Sequence, residues 1–524
     1  MKEREFHLCK EPWICVMGKD YQIKKVTLVE AILHAEQYRD LAGETETQNI
    51  AVLRFMLAVL HTVFFRCNEE GKLEKIDSAK EAFKRWKAIW DRGSFPEKPV
   101  QDYFSKWENR FWLFDSQYPF YQVPEIQGTE NPVKKMNGEV VESNNKIQLF
   151  SMRSGKEKNE LRYDEAARWL IYLQAFDDTA AKKPSPKLCL VGSIGIITVK
   201  GDSLFETLML NLTLLKDGQE LWGEAKPSWE RKKPSTQKLE EIPIPDNQAE
   251  LLSLQCRRIL LHREGDIVVG YTEAAGEYIE KESAFVEQMT FWSLKKKGKD
   301  IEQFFPRLHD SSKQMWRDFS VLLGNSSRMP GVVSWVKKIQ SKKLFPKTRF
   351  VKFRIVGVEY GSMNCGVVDE FSDSLEFHAS ILDDLSQKWQ NIIMTEIERC
   401  NRLALIVGQL GRNLEKAIGG DGVSAEKRTK EQAYYRLDIP FRQWLLQIDP
   451  EQNLEKEKQY RMEWKKMSNT IIKNLGKELV DQVGSIAVAG RTVKEKINKI
   501  DVERHYSAPE AFNIFLHLLG QCDD

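Results

Sequence analysis

At 524 residues, with 41% hydrophobic and 30% charged content, the chain is too long for one ordinary core and reads as a globular protein of two or three domains. A formal charge of +2 excludes a strongly basic nucleic-acid coat, so any nucleic-acid contact must be local, made by a few lysines on particular loops. The eight cysteines, at 9, 15, 67, 189, 256, 365, 400 and 522, form no CxxC pair; reduced thiols in a cytoplasmic protein are the simplest reading, without a structural zinc site.

Along the chain, Met1-Lys2-Glu3-Arg4-Glu5 is charged and no apolar run follows it, so no secretory signal is expected. Ile14-Cys15-Val16 suits a short strand, and Thr27 with Glu30 three residues later suits a capping box opening a helix. Residues 50–65 (IAVLRFMLAVLHTVFF) carry Arg54 and His61 and are too short to span a bilayer comfortably; they predict a buried helix, apolar on nearly every side, and no membrane association. Residues 94–128 are rich in aromatics and prolines and predict an irregular segment packed on a core, and residues 131–160 a polar, lysine-bearing loop. A helix is predicted over Tyr163 to Phe176 and another over 204–215, with strands around 188–199, 258–271 and 350–368.

After residue 375 the pattern changes. Leu382, Leu385, Trp389, Ile393, Ile397, Cys400, Ala404, Val407 and Leu414 recur mostly at threes and fours, predicting one long amphipathic helix. Further apolar series run through 434–447, 460–479 and 508–519, with Gly419-Gly420-Asp421-Gly422 as a breaker. The fold class expected is therefore α+β, with a large mixed N-terminal domain over 1–375 and a C-terminal four-helix bundle over 376–524.

No catalytic constellation presents itself: GxxxxGK[ST], HExxH, GxSxG and a Rossmann GxGxxG after a strand are all missing. Gly192, Gly195 and Gly201 sit within strand-like sequence and do not open a helix. His61 and His517 lie on apolar helical patterns and read as core histidines. The doublets Asp177-Asp178 and Asp383-Asp384 read as solvated surface, since a two-metal site needs carboxylates converging from separate elements. No cofactor and no metal ligand is expected. The competing class is a metal-dependent nuclease or hydrolase with dispersed ligands.

Three basic clusters break the charge balance, and each is expected in an exposed loop: Lys182 to Lys187 (KKPSPK), Arg231-Lys232-Lys233, and Lys295 to Lys299 (KKKGK). The first follows the small residues Thr179-Ala180-Ala181. Small side chains let backbone amides approach a ligand while lysines attract phosphate, a combination suited to a DNA minor groove. The stretch Phe350 to Val356 alternates apolar and polar residues, and Val367-Val368 can begin a returning strand. Between them lies a tip longer than a two-residue turn, Tyr360-Gly361-Ser362-Met363-Asn364-Cys365-Gly366.

Several segments in order resemble the CasA family, the large subunits of the type I-E CRISPR surveillance complex, Cascade. They are Glu11-Pro12-Trp13-Ile14; residues 26–31 continuing to Leu41-Ala42-Gly43-Glu44; residues 51–61; Pro119-Phe120-Tyr121-Gln122; Gln174-Ala175-Phe176; Glu206-Thr207-Leu208 with Leu210-Asn211-Leu212; and Tyr435-Arg436 with Pro440-Phe441-Arg442. The resemblance implies a cytoplasmic, non-catalytic subunit. Its implied partners are the other Cascade subunits, the CRISPR RNA 5′ handle, double-stranded target DNA and a helicase-nuclease effector. It implies reading of the protospacer-adjacent motif (PAM) from the minor groove, opening of the duplex and recruitment of the effector.

By the same resemblance, Gly361, Ser362, Met363 and Asn364 look like the family's wedge hairpin, with Met363 or Asn364 where the family has glutamine. Thr179, Ala180, Ala181, Lys182 and Lys183 correspond to its glycine-rich loop, without the glycines. Lys281 is the candidate lysine finger, and Phe150 resembles the aromatic anchor directed at the neighbouring subunit and the guide handle. The cysteine pairs by which some relatives bind zinc are missing here. Each position has a plainer use: Met363 as a core residue, Asn364 as a turn former, Phe150 as a buried aromatic, Lys281 as a solvated charge.

Overall fold

A computed structural model describes residues 4–522 apart from 139, 142–145, 148–152, 180–185, 298–300, 325–327, 345–348, 451–453 and 498–499. The chain divides into two compact units: the first holds Met1–Ser311 with Gly324–Pro346 and Val351–Ser374, the second is mainly Leu375–Asp524 and takes in Ser312–Leu323.

In the first unit the strand Ile14–Gly18 lies between Ile23–Val26 and Tyr38–Leu41 in an antiparallel sheet. The helix Leu28–Leu33 opens with the expected capping box: Glu30 N–H donates to Thr27 Oγ1 at 3.1 Å and Thr27 N–H to Glu30 Oε2 at 2.9 Å. Glu46–Arg66 is the core helix, buried on every face. It is long and apolar enough to cross a membrane, yet it lies wholly inside the unit. Its one buried cation, Arg54, makes a two-pronged bond to Glu287 at 2.8 and 3.0 Å, which compensates the charge it takes out of water. Burial holds His61 neutral, its pKa pushed down to about 3.

The aromatic-rich stretch 94–128 packs on the core as expected but is not irregular throughout, since Glu97–Lys106 is a helix and Trp112–Asp115 a strand; Phe55, Phe111, Phe120, Tyr121 and Trp229 form one ring cluster whose Phe120 and Tyr121 stack at 4.4 Å. The helix Tyr163–Phe176 keeps the predicted bounds and packs on the core helix.

Three further local expectations fail. Residues 190–194 form a short helix, Leu190–Ile194, where a strand was expected, and only Ile196–Lys200 is strand. A Cβ at Gly192 would lie 1.9 Å from the Tyr360 hydroxyl, so this glycine serves close packing. Leu204–Asn211 is helical, but residues 212–215 are not. The lysines 295 and 296 are exposed on a strand, Phe291–Lys297, paired antiparallel with Ile301–Arg307, and not on a loop. Alternation there is hidden by lysines on consecutive positions.

The second unit is a helical bundle of Gln387–Ile418, Val423–Leu446, Leu454–Gln482 and Ala508–Gln521. The long helix starts at Gln387, later than the apolar series suggests, and Leu385 is fully exposed ahead of it. Gly419 ends it in the left-handed region at φ 104° and Gly422 follows at φ 80°, a conformation glycine adopts without a Cβ penalty. Trp316, Phe441, Trp444 and Trp464 interlock, with ring centroids 4.4 to 5.6 Å apart. Between the third and fourth helices runs a hairpin not expected from the sequence, Arg491–Ile497 with Ile500–Tyr506. His517 corrects another expectation: it lies on the outer face of the last helix beside Gln521 and not in the core.

Candidate nucleic-acid interface

The helix Tyr163–Phe176 stops because Asp177 takes an extended conformation, φ −62° and ψ 146°, and its carboxylate turns to Arg257. Arg257 begins the strand Arg257–Glu264 and is 2% exposed. Its guanidinium donates to the Asp177 carboxylate, to the carbonyls of Asp177 and Asp178 at 3.3 and 2.7 Å, and to the carbonyl of Lys187 at 3.2 Å. One planar cation thus closes both stems of the loop between residues 177 and 187, the kind of multi-acceptor contact its fixed fork allows.

Asp177 and Asp178 are 6% and 7% exposed, so the expectation of a solvated surface doublet is wrong. Both carboxylates serve structure: Asp177 accepts from Arg257, and Asp178 from the backbone N–H of Gly366.

Gly366 belongs to the tip of the hairpin formed by Phe350–Tyr360 and Val367–His378. The strand Phe350–Tyr360 pairs antiparallel with the buried strand Ile196–Lys200, Ile196 opposite Val356, which fixes the hairpin on the unit's core. Tyr360 anchors its upper end by donating to the carbonyl of Phe176 at 2.7 Å; burial raises its pKa well above the ordinary value, so the phenol remains a donor.

Beyond Tyr360 the tip is closed by Gly361 N–H to Gly366 O at 3.0 Å, and at its apex Cys365 N–H donates to Ser362 O at 3.2 Å. The two central residues, Met363 and Asn364, both have positive φ, 57° and 59°, the mark of a type I′ turn set within the longer tip. Met363 is 85% exposed, and Ser362 and Asn364 are exposed beside it.

Left-handed backbone costs an L-residue about 1–2 kcal/mol, least for asparagine. The conformation is held by Thr179, whose N–H donates to Asn364 O at 3.1 Å and whose hydroxyl faces the carbonyls of Met363 at 2.9 Å and Asn364 at 3.1 Å. Such bonds, at about 1 kcal/mol each, together with the Gly366–Asp178 bond are enough to offset the strain.

The other end of the loop reaches the third element. Lys187 donates to Glu280 Oε1 at 3.2 Å and lies 5.5 Å from the Tyr278 ring centroid. Glu280 immediately precedes Lys281, which is exposed at the start of the short turn Lys281–Ser283. Thr179, the hairpin tip and the Glu280–Lys281 turn are therefore joined through one loop and its two stems. Ala180, Ala181, Lys182, Lys183 and Phe150 lie outside the described residues. Of the second basic cluster, Arg231 pairs with Glu277, while Lys232 and Lys233 are exposed. Among the described residues no three His, Cys, Asp or Glu side chains come together as a metal-binding group.

Sequence reasoning did not find the roles of Asp177, Asp178, Arg257 and Tyr360. The one available signal was a pair of opposite-charge doublets, Asp177-Asp178 directly after an apolar helix and Arg257-Arg258 opening an apolar strand, each in a setting that would bury it.

The class the fold defines is thus a large mixed α+β unit that displays an exposed hairpin, followed in the chain by a bundle of long helices. The family model described as "CRISPR-associated protein Cse1 (CRISPR_cse1)" matches residues 7–475, and the chain belongs to that family. A curated relative, CRISPR-associated protein CasA/Cse1 of Thermus thermophilus, is 31% identical over 216 residues; that match spans 40% of this chain and 39% of the relative.

Among solved structures, the Cse1 of Thermobifida fusca superposes with a TM-score of 0.84 at 24% identity, covering 99% of this chain and 98% of that one. A chain from a structure of a CRISPR RNA-guided surveillance complex superposes with a TM-score of 0.63 at 16% identity, covering 99% of each. The resemblance carried by the short sequence segments and the α+β fold with its helical C-terminal region thus both hold.

Proposed function

We propose that the chain is the large, non-catalytic subunit of a type I-E Cascade complex, working in the cytoplasm, and that its hairpin opens double-stranded DNA beside a short motif. Family membership supports the place in a surveillance complex. The observation that carries the DNA role is the exposed tip: Met363 and Asn364 project from a turn whose backbone is fixed by Thr179 and Asp178. An uncharged, rigid protrusion can enter a base step, at a cost of a few kcal/mol of unstacking that surrounding contacts offset. Lys281, with Lys182 and Lys183 of the loop, supplies phosphate attraction that weakens with salt. Guide pairing then supplies the sequence specificity.

In this reading residues 1–375 carry motif recognition and docking, and residues 376–524 form a second domain. Phe150 is the aromatic anchor for the neighbouring subunit and the 5′ handle of the CRISPR RNA, and a separate helicase-nuclease is recruited for cleavage.

The test is binding by the reconstituted complex. Replacing Met363 and Asn364 together by alanine is expected to weaken binding of a motif-bearing duplex at least tenfold, about 1.4 kcal/mol, and to spare the same target already unpaired next to the motif. Equal losses on both substrates would contradict wedging, and metal-dependent cleavage by the purified chain, abolished by substituting one carboxylate, would contradict the non-catalytic assignment.

A further inference from the structure

We infer that a small cavity in the first unit, walled by residues 118–122 and 228–234, is a binding site for a phosphate-type oxyanion. None of its lining residues belongs to the hairpin, and the site does not rest on the DNA-opening role proposed above. Its volume is about 40 Å³. At about 10–15 Å³ for each water-sized body there is room for roughly three, which suits a phosphate group and is too little for a nucleobase.

Two buried hydroxyls carry the inference. Tyr121 is 4% exposed and Ser228 6%, both line the cavity, and neither hydroxyl oxygen has a hydrogen-bond partner. The Ser228 hydroxyl is near enough to act on the phenol, but the pair falls short of hydrogen-bond geometry. Burial pushes the Tyr121 phenol well up from its ordinary range, so it stays a proton donor. Buried polar groups in folded chains almost always find a partner, and two that converge on one cavity without one point to what fills it.

Tyr121 also has a positive φ, 53°, in a region that an aromatic residue seldom enters. Strain of this kind collects where a side chain has to be aimed. The surrounding groups hold the two residues in place. The Tyr121 ring stacks on Phe120 with centroids 4.4 Å apart, and the Ser228 backbone N–H donates to Ser253 Oγ at 2.9 Å. Next to Ser228, the Trp229 indole donates to Tyr103 Oη at 2.7 Å, and that hydroxyl donates to Glu230 Oε1 at 2.9 Å.

The charge of the walls selects the ligand. Arg110, Arg231 and Gln255 line the cavity too, and no aspartate or glutamate does. Arg231 is oriented by its ion pair with Glu277. Among the described residues Arg110 has no carboxylate partner; it is half-buried, its guanidinium 3.7 Å from the Tyr118 ring centroid. Water meets the needs of the hydroxyls alone. An oxyanion meets those and the charge of Arg110 as well, with acceptor oxygens for every donor.

The experiment is equilibrium dialysis of the purified full chain against radiolabelled inorganic phosphate, in enough potassium chloride to screen surface lysines. One phosphate per chain, bound saturably, is expected. Tyr121→Phe with Ser228→Ala is expected to weaken it about tenfold or more, because each lost bond went to a charged acceptor. Arg110→Gln is expected to do the same, and Lys295→Gln/Lys296→Gln, on an exposed strand, to change it by less than about twofold.

Since the two hydroxyls have no partner in the free chain, the thermal midpoint of their double variant should stay within a few degrees of wild type. A double variant that unfolds much earlier would show that the hydroxyls serve structure, and would overturn the site. Saturable binding that persists in the double variant, or binding that only rises in proportion to phosphate, overturns it as well. Competition names the source: displacement of the label by a nucleoside 5′-monophosphate but not by the nucleoside supports a phosphate ester as occupant, and displacement by unlabelled phosphate alone supports free phosphate.

Discussion

In the C-terminal bundle, Trp316 stacks on Phe441 and Trp444 on Trp464 while Phe441 meets Trp464 edge-on, and stability comes from apolar area withdrawn from water. The 350–378 hairpin is kept in place at its tip by other means: Arg257, Asp178, Thr179 and Tyr360 each bond a backbone group distant in sequence, and the buried Asp177 carboxylate holds Arg257. Apolar packing is tolerant of direction and gives a firm platform. Polar bonds are directional, so a few of them can hold a strained, exposed turn in one conformation. The bundle is built to be stable, and the hairpin tip is built to be aimed.

The largest expected effects follow from deleting one anchor in each region. Arg257→Ala leaves the Asp177 carboxylate buried without its cation and is expected to cost about 3–5 kcal/mol, read as a shift in the denaturant midpoint. It should abolish motif discrimination too. Trp464→Ala opens a cavity in the bundle and is expected to cost a similar amount, about 3–5 kcal/mol. Complexes that still incorporate it should discriminate the motif as wild type does. If Trp464→Ala impaired discrimination as severely as Arg257→Ala, the division of labour between the two regions would fail.

A smaller effect tests the platform beneath the hairpin. His61 in the core helix has its pKa lowered to about 3, against 6.5 for the ordinary side chain. The unfolded chain therefore binds a proton that the folded chain refuses, and the His61 contribution, complete above pH 6.5, is lost progressively as pH falls toward 3. At pH 5 the loss amounts to about 2 kcal/mol. Stability measured against pH should fall with this slope, and His61→Leu should flatten it; an unchanged slope in that variant would assign the acid sensitivity elsewhere. The smallest effect expected is that of Met363→Gly, which relieves the left-handed strain and changes stability by less than about 1 kcal/mol in either direction. Duplex opening should nevertheless drop, because the projecting side chain is gone.

The legibility of the sequence follows the same division. The core helix, the Thr27 capping box, the Tyr163–Phe176 helix and the four helices of the bundle are written in local signals, a period near 3.6 or a cap at fixed spacing, and they were found. The position of the exposed tip in the chain was also readable, from glycines at 361 and 366 between two strand-like runs.

What holds the tip was not. Arg257 and Asp177 are 80 residues apart and Asp178 and Gly366 are 188 apart, and no local period or spacing announces such pairings. The Asp177-Asp178 doublet was misread for that reason: its composition says surface, and only its distant partners allow it to be buried. The Leu190–Ile194 helix was misread because packing against Tyr360 overrides the β-like composition around Gly192 and Gly195.

The most direct test of the central claim is fluorescence of a 2-aminopurine placed in the target strand immediately beside the motif, recorded as the reconstituted complex binds with a guide mismatched to the target, so that pairing cannot drive opening. A rise in emission on binding with wild type, absent with the Met363→Ala/Asn364→Ala pair, is the result expected if the exposed tip separates the strands. The same rise with the tip variant would show that the duplex opens without it, and would contradict the role assigned to the hairpin.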